Sequence, residues 1–437
     1  MEEDIHKYQS THISKTTVKV EERLKLAIEK ASERIDYESA KNPMLIRALA
    51  VVEKFIKNKK RICYGGTAMN AILPESKKFY NPDKDLPDYD FYTPALSEDV
   101  EELVDILNKE GFQDVYHKVG MHEGTKKILV NFHPIADISA IAPELFAIMF
   151  RRSITIDGLH YTDPNVLRMM MYLELSRPKG EVERWTKVFE RLQLIEDSFP
   201  IKGCKSDSGL HHQELLSLET RKSIVEYCIR RNLILCNGPL AAMYTKGIRQ
   251  GNAFYKFIAG GPLLFTSPDP KEDAKSVKKI LNDESIKLYL HMARGELVPL
   301  RIELRRGDVP VCMFIQETAC HSYNTIPIVE GGSIHIGSLE FLITLYLSID
   351  IFTNHSKDYL GDRILCQVKK FIDLAKENYS AKRSQFPPFA LECRGHQTGY
   401  ASLLRAKVMR IQEEKEKAVT KKAKKKKGKK TKKGKKT

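Results

Sequence analysis

The 437-residue sequence contains no apolar run approaching the roughly 18 residues of a membrane-spanning helix, so no membrane span is expected. Its first residues, MEEDIHKYQSTH, lack the apolar stretch of a secretory leader. The eight cysteines (Cys63, Cys204, Cys228, Cys236, Cys312, Cys320, Cys366 and Cys393) form no CxxC pair, which argues against cysteine-ligated zinc. Without a leader they are expected to be reduced thiols. Cys63 and Cys236 sit in apolar runs and read as core residues. Tryptophan is nearly missing: Trp185 stands alone and reads as core rather than as a platform for a base. Acidic residues are missing from one stretch in particular. Between Lys421 and Lys436 there are 12 lysines and no acid, and subtracting them from the net charge of +15 leaves +3 for the rest. What remains is an ordinary globular mixture, 42% hydrophobic and 30% charged, long enough for two or three domains.

Helical periodicity begins near Val20, where Leu24, Ile28 and Ile35 lie near one stripe, and resumes from Pro43 to Ile56. Arg61–Tyr64 reads as a strand running into Gly65-Gly66, and Thr67–Leu73 as the helix after it. A polar loop, Phe79–Pro87, leads to a strand at Tyr89–Tyr92. An amphipathic helix at Asp99–Gly111 and strands at Lys127–Val130 and Ile135–Ile141 complete a mixed α/β unit ending near residue 145. Residues 163–199 read as helical, with Pro164 at the first turn. A Gly/Ser-rich linker and a second mixed region follow. The expected domains are a loosely ordered N-terminus (1–20), a first unit with flanking helices (21–200), a linker (201–212), a second unit (213–410) and a lysine-rich disordered tail (411–437).

The second region echoes the first. At an offset of 173, Cys63, Gly65, Ala68 and Thr93 fall on Cys236, Gly238, Ala241 and Thr266. The same offset sets Asp88 and Asp90 against Gly261 and Leu263, so the second copy lacks the carboxylates. We read an internal duplication with a degenerate second copy.

Asp88 and Asp90 stand two apart in a strand and project from one face. Neighbouring carboxylates repel, and a hard divalent cation offsets the repulsion. Magnesium takes one or two carboxylates together with substrate phosphates. Asp137, in the apolar context PIADISAIA, supplies a third acid if its strand lies beside the first. Two metals about 3.5–4 Å apart can then stabilise the attacking and leaving oxygens of phosphoryl transfer. Gly65-Gly66 lets the backbone approach a ligand closely, and the helix N-terminus behind it favours phosphate. Thr67 adds a hydroxyl. Each feature alone has a bland reading: a common turn, a solvated acidic edge, a helix cap or ion-pair partner. Their combination in this order is much more specific.

The order GG[ST], hDhDh, then a third Asp in an apolar strand resembles the DNA polymerase β-like nucleotidyltransferase superfamily. Within it, YGGTAMNAI, LPDYDFYTP, FHPIADISAIAP and TDPNVLRMMMYLELSRP resemble the poly(A) polymerase catalytic subunits of large cytoplasmic DNA viruses, of poxvirus and giant-virus type. The likeness covers roughly residues 45–200 and is weaker beyond. It implies an α+β fold of two nucleotidyltransferase-like mixed α/β units, the second degenerate, with flanking helices. It implies nucleotide binding by Gly65, Gly66 and Thr67, and magnesium or manganese binding by Asp88, Asp90 and Asp137, with Asp137 activating the primer 3′-hydroxyl. The segment between Gly66 and Asp88 is longer than in many members and carries Asp83 and Asp85. Asp85 ranks second as a ligand because Pro87 separates it from the strand.

Cations are expected to face the triphosphate. Arg168, Arg177, Lys179, Arg184 and Lys187 follow the acidic unit, and each has the bland reading of a solvated helix face. Arg168 lies in the apolar run VLRMMMYL, where an unpaired charge is costly, so it is assigned a buried ion pair or a phosphate contact. Arg151 and Arg152 are divided between RNA contact and plain surface. The lysine tail fits a sequence-independent polyanion contact, a targeting signal or a solubility device. Together these imply template-independent transfer of AMP from ATP to an mRNA 3′ end, with pyrophosphate released. The expected partners are the RNA 3′ end, ATP, and either a second copy or a viral processivity subunit, with no membrane. The expected place is the host cytoplasm or the virion. The alternatives are a uridylyl-, CCA-adding or oligoadenylate-type enzyme, and a non-catalytic RNA-binding processivity protein.

Overall fold

A computed structural model describes residues 15–81, 85–202, 216–237, 244, 261–294, 297–327, 332–353, 363–381 and 386–433. Residues 1–14, Asp83, nearly all of the linker, and Gly238 and Ala241 of the echo lie outside the described residues.

The first unit opens with α1 (Lys15–Ala40) and α2 (Pro43–Lys59). Asn42 caps α2 by accepting from the amides of Met44 at 3.0 Å and Leu45 at 3.3 Å, with Pro43 in the first turn. The helix buries Leu45, Leu49, Val52, Phe55 and Ile56. Then come β1 (Ile62–Cys63), α3 (Gly65–Ile72), β2 (Tyr89–Thr93), α4 (Leu96–Lys109), β3 (Tyr116–Val119), β4 (Thr125–Val130) and β5 (His133–Ala140). After these follow α5 (Pro143–Arg152), β6 (Ile154–Ile156), β7 (Leu159–Tyr161), α6 (Pro164–Leu175) and α7 (Trp185–Ser198). The strands lie in the order β3-β4-β5-β2-β1-β7-β6. The unit therefore does not end near residue 145: β7 pairs parallel with β1 and carries the sheet on to Tyr161. Three-residue strands are too short for periodicity to register.

The second unit holds α8 (Leu218–Arg230), β8 (Ile234–Leu235), β9 (Leu263–Ser267), α9 (Pro270–Leu281), β10 (Ile286–His291), β11 (Arg301–Arg306) and β12 (Val309–Gln316). It continues with β13 (His321–Pro327), β14 (Ser333–Gly337), α10 (Leu339–Phe352), α11 (Arg363–Ser380), β15 (Cys393–Arg394) and α12 (Tyr400–Lys433). Its sheet runs β10-β11-β12-β9-β8-β14-β13-β15. Strand for strand this repeats the first sheet, with β15 added at the end. The side chains that lock the helix after the second strand repeat too. Thr93 donates to Asp99 at 2.5 Å and Arg61 pairs with the same carboxylate; Ser267 donates to Asp273 at 2.5 Å and Arg231 pairs with it.

This lock corrects the register of the echo. Thr93 corresponds to Ser267, not Thr266. The amide of Tyr64 donates to the Asp90 carbonyl, and that of Cys236 to the Leu264 carbonyl. Asp88 and Asp90 therefore correspond to Pro262 and Leu264, one residue past the sequence alignment. Asp137 pairs with Asp90 as Met313 pairs with Leu264. Loops of unequal length separate β1 from β2 and β8 from β9, so no single offset holds. All three acids are replaced by uncharged residues in the second unit.

The units meet through α6 and α10, which occupy the same place in each. Every residue of α10 is buried, as expected of a helix apolar all round and enclosed by α6 and α11. Arg152 reaches across to Asp350 at 3.7 Å and to Asp163 at 3.8 Å, a surface-to-interface contact rather than an open RNA site. Two further expectations differ from the structure. Cys320 and Cys393 form a disulfide and Cys366 is also disulfide-bonded, so the cysteines are not all free thiols; β13 and β15 bring together residues 73 apart in sequence. The segment expected to be disordered from residue 411 continues as helix to Lys433. Its Ala, Glu, Lys and Arg content favours helix over coil. No described helix is long and apolar enough to cross a membrane.

Candidate active site

β2 and β5 are adjacent and parallel, and their register sets Asp90 directly beside Asp137. Asp88 stands one residue before β2. Thr67 fixes it there: the threonine hydroxyl donates to the Asp88 carbonyl at 2.7 Å and accepts from the Asp88 amide at 3.2 Å. The hydroxyl is thus a strut for an acidic residue rather than the free phosphate contact expected of it. Asp85 closes a turn with the Asn81 amide at 2.7 Å and does not line the cavity.

Gly65 has φ +71°, and a Cβ there would lie 2.6 Å from Asp90 Oδ2. No other residue lets the strand turn into α3 this close to the carboxylate. At Gly66 a Cβ would collide with the Tyr80 hydroxyl and come within 3.1 Å of Arg191. Asn70 on α3 holds the loop bearing Tyr80, accepting from the amides of Phe79 at 2.8 Å and Tyr80 at 3.0 Å. The two glycines therefore clear a space bounded by acids on one side and a cation on the other.

That space is a cavity of about 360 Å³. Asp88, Asp90, Gly65 and Gly66 line it together with Arg184, Lys187 and Arg191, which lie on α7 and the turn before it. Arg191 packs over the Phe79 ring at 4.7 Å and donates to the Tyr80 hydroxyl at 3.2 Å. Arg184 is held by Glu181 at 2.9 Å and Glu174 at 3.3 Å. Lys187 has no ion pair among the described residues, and the charge of Arg191, then partial burial, then Arg184 hold its ammonium below the usual lysine range. A cluster that repels its own members calls for an anion between them.

The acids show the opposite imbalance. Burial first, then Asp88 and Asp137, push the Asp90 carboxyl up to about 8, against Lys127 and Arg184. Asp88 is raised by burial and by Asp137. Asp137 is paired with Lys127 at 2.5 Å. Among the described residues no three acidic, histidine or cysteine side chains form a ready-made metal cage. Asp88 and Asp90 line the cavity, and Asp137 does not, though it stands beside Asp90 on β5. Hard oxygen donors of this kind fit magnesium or manganese, which keep waters and recruit substrate phosphates, better than an ion needing a closed shell.

Arg168 is elsewhere. It is fully buried and spent on Glu196 at 2.7 Å and the Phe199 carbonyl at 2.6 Å, so of its two assignments the buried ion pair holds and the phosphate contact does not. Arg177 and Lys179 do not line the cavity. Trp185 packs against Phe389 at 5.7 Å, as a core residue does. Sequence reasoning passed over Arg191 and Tyr80. The one available signal was that Arg191 lies four and seven residues after Lys187 and Arg184, on the same helical face.

Residues 50–181 match the family model described as poly(A) polymerase catalytic subunit. The match includes Gly65, Gly66, Asp88, Asp90 and Asp137, and ends before Arg184, Lys187 and Arg191. A putative poly(A) polymerase catalytic subunit of Acanthamoeba polyphaga mimivirus is 32% identical over 157 residues, 35% of this chain and 26% of that one. One from African swine fever virus (isolate Tick/Malawi/Lil 20-1/1983) is 32% identical over 160 residues, 35% of this chain and 33% of that one. The matched stretch thus spans a third or less of these relatives. The crystal structure of the Megavirus polyadenylate synthase superposes with a TM-score of 0.71 at 18% identity, over 94% of this chain and 85% of that one. The likeness read from the motifs holds in sequence over residues 50–181 and in fold over nearly the whole chain.

Proposed function

We propose that the chain is a template-independent poly(A) polymerase, transferring AMP from ATP to an RNA 3′-hydroxyl with release of pyrophosphate. The observation that carries this reading is the pairing of Asp90 with Asp137 beside Gly65, with Asp90, Lys187 and Arg191 lining one cavity. Acids and cations around one space are what a magnesium-bound triphosphate needs.

In this reading the Gly65 and Gly66 backbone and the N-terminus of α3 receive the phosphates. Lys187 and Arg191 neutralise them within the same cavity, and Arg191 stays oriented by the Phe79 ring. Asp88 and Asp90 would hold metal, and Asp137 would direct the 3′-hydroxyl toward the α-phosphate. Two bound magnesium or manganese ions would supply the charge that stabilises the attacking and leaving oxygens. Lys127 neutralises Asp137 until then. A virus of the kinds matched would use such an enzyme in the host cytoplasm or carry it in the virion; immunolocalisation in infected cells checks this.

The test is primer extension with each of the four ribonucleotides, in magnesium and in manganese. Addition of AMP in preference to the others supports the reading, and Asp90→Ala should abolish it with the melting profile retained. Equal use of all four, or preference for UMP or CMP, would replace it with another nucleotidyltransferase. No addition by the folded wild-type chain would sink it.

A further inference from the structure

The line of acids continues across the sheet. Asp90 on β2 faces Asp137 on β5, Asp137 faces Lys127 on β4, and Lys127 faces Lys118 on β3. Residues directly opposite in a ladder share a face. Two carboxylates and two ammonium groups therefore lie in one row. Lys118 stands two strand spacings, about 10 Å, from Asp137.

Beyond β3 the sheet ends, and α12 covers its edge. Arg410 donates to the carbonyl oxygens of Met121 at 2.8 Å and Gly120 at 3.5 Å, and Glu414 pairs with Lys126. A groove of about 520 Å³ runs between strand and helix, lined by Lys118, Lys415 and Lys417 together with His117, Val119 and Ile411. Its carboxylate, Glu414, is engaged by Lys126. Lys118 thus belongs both to the row that begins at the acids and to the groove. The helix backbone goes on to Lys433, and the sequence from Lys421 adds the 12 lysines without an acid.

We propose that the sugar–phosphate backbone of the RNA leaves the catalytic acids along Lys127 and Lys118 and passes over the sheet edge into the groove between β3 and α12. This rests on the reading of the chain as an enzyme that extends RNA. Lysines contact phosphate as point charges and read no base, which suits a product of one repeated nucleotide. Docking α12 on the catalytic sheet holds Lys415 and Lys417 beside the exit instead of leaving them on a free tail. The basic helix then slows loss of the product between additions.

The full-length protein is titrated with labelled oligoadenylate RNA by fluorescence anisotropy, without nucleotide and in EDTA, over roughly 50 to 200 mM salt. Each phosphate contact on a single strand contributes about 0.7 to the slope of log affinity against log salt. The triple variant K118A/K415A/K417A should therefore be shallower by about 2, with unchanged circular dichroism. The double variant R410M/E414Q removes both anchors of the helix, the Arg410 contacts to the Gly120 and Met121 carbonyls and the Glu414–Lys126 pair, with no change in net charge. It should weaken RNA binding; unchanged or tighter binding would overturn the docked helix in favour of a free polycation. RNA with a photoreactive nucleotide a few positions from its 3′ end should crosslink to β3 or α12, and crosslinks confined to the second unit would overturn the path. Because binding is read without catalysis, a chain that adds no AMP but shows the shallower slope refutes only the enzyme reading. A chain that adds AMP with an unchanged slope refutes only this path.

Discussion

Gly65→Ala separates the geometry of the site from the stability of the fold. The residue has φ +71°, where an L side chain costs about 1–2 kcal/mol. Its new methyl would also sit 2.6 Å from Asp90 Oδ2, closer than real Cβ atoms approach, so the carboxylate must retreat. A misplacement of about 1 Å costs about 100-fold in rate, and a shift of roughly half that should cost about 10-fold or more. Gly111 is the control. It too has a positive φ, +85°, at the end of α4, but nothing lies within 4 Å of its Cβ. Both variants should lose about 1–2 kcal/mol, read as a similar drop in melting temperature. Only Gly65→Ala should lose AMP addition, measured as kcat on an oligoadenylate primer at saturating ATP. If the two variants keep equal activity, the close approach of Gly65 to Asp90 has no catalytic meaning and the reasoning fails.

Three other outcomes are expected. Lys187→Ala and Arg191→Ala should each raise KM for ATP by about 10- to 100-fold, the worth of a hydrogen bond to a charged group, and leave KM for RNA unchanged; steady-state kinetics with each substrate varied would reveal an unaltered ATP dependence. Arg168→Met should leave Glu196 a buried charge short of its main partner and cost about 3–5 kcal/mol in denaturant unfolding, while the folded fraction keeps its KM for ATP. Burial raises the Glu340 carboxyl from 4.5 to about 7. The folded state therefore holds this proton more tightly than the unfolded chain does, and stability falls as pH rises between those values. At about 1.4 kcal/mol per unit the loss reaches about 3 kcal/mol. Glu340→Gln should abolish most of it, and a wild-type melting temperature that is flat from acid to neutral pH would contradict the assignment.

Much of the site was legible in the sequence because it depends on neighbours along the chain. Asp88 and Asp90 share a strand face by period alone, and Gly65-Gly66 lies where a strand meets a helix. The third acid was legible only by its apolar context. That Asp137 stands beside Asp90 follows from the parallel pairing of β2 with β5, a crossover that no local pattern encodes. The facing cations were named as a group, but the favoured one, Arg168, was the one that turned inward. Its apolar neighbours spoke for burial, and a partner at Glu196, one helix away, answered that need without phosphate. Arg191 carried no local mark, since its use comes from the Phe79 ring and Gly66 brought beside it by folding.

The duplication was visible as repeated words, yet its register was wrong by one residue until the hydrogen bonds of Tyr64 and Cys236 set it. Sequence alone determined the chemistry available: three hard acids, a glycine turn before a helix, and a run of lysines. These depend on residue type and short spacing, which survive without tertiary contacts. Tertiary structure decided which groups meet. It paired Cys320 with Cys393, spent Arg168 on Glu196, set Lys127 and Lys118 in line with the acids, and docked a helix from the far end of the chain on β3. Most of those contacts join residues tens to hundreds of positions apart, and the short-range row of Lys118, Lys127 and Asp137 reaches Asp90 only through the pairing of β2 with β5. They arise from strand order and packing of the whole chain, which no short window of sequence contains.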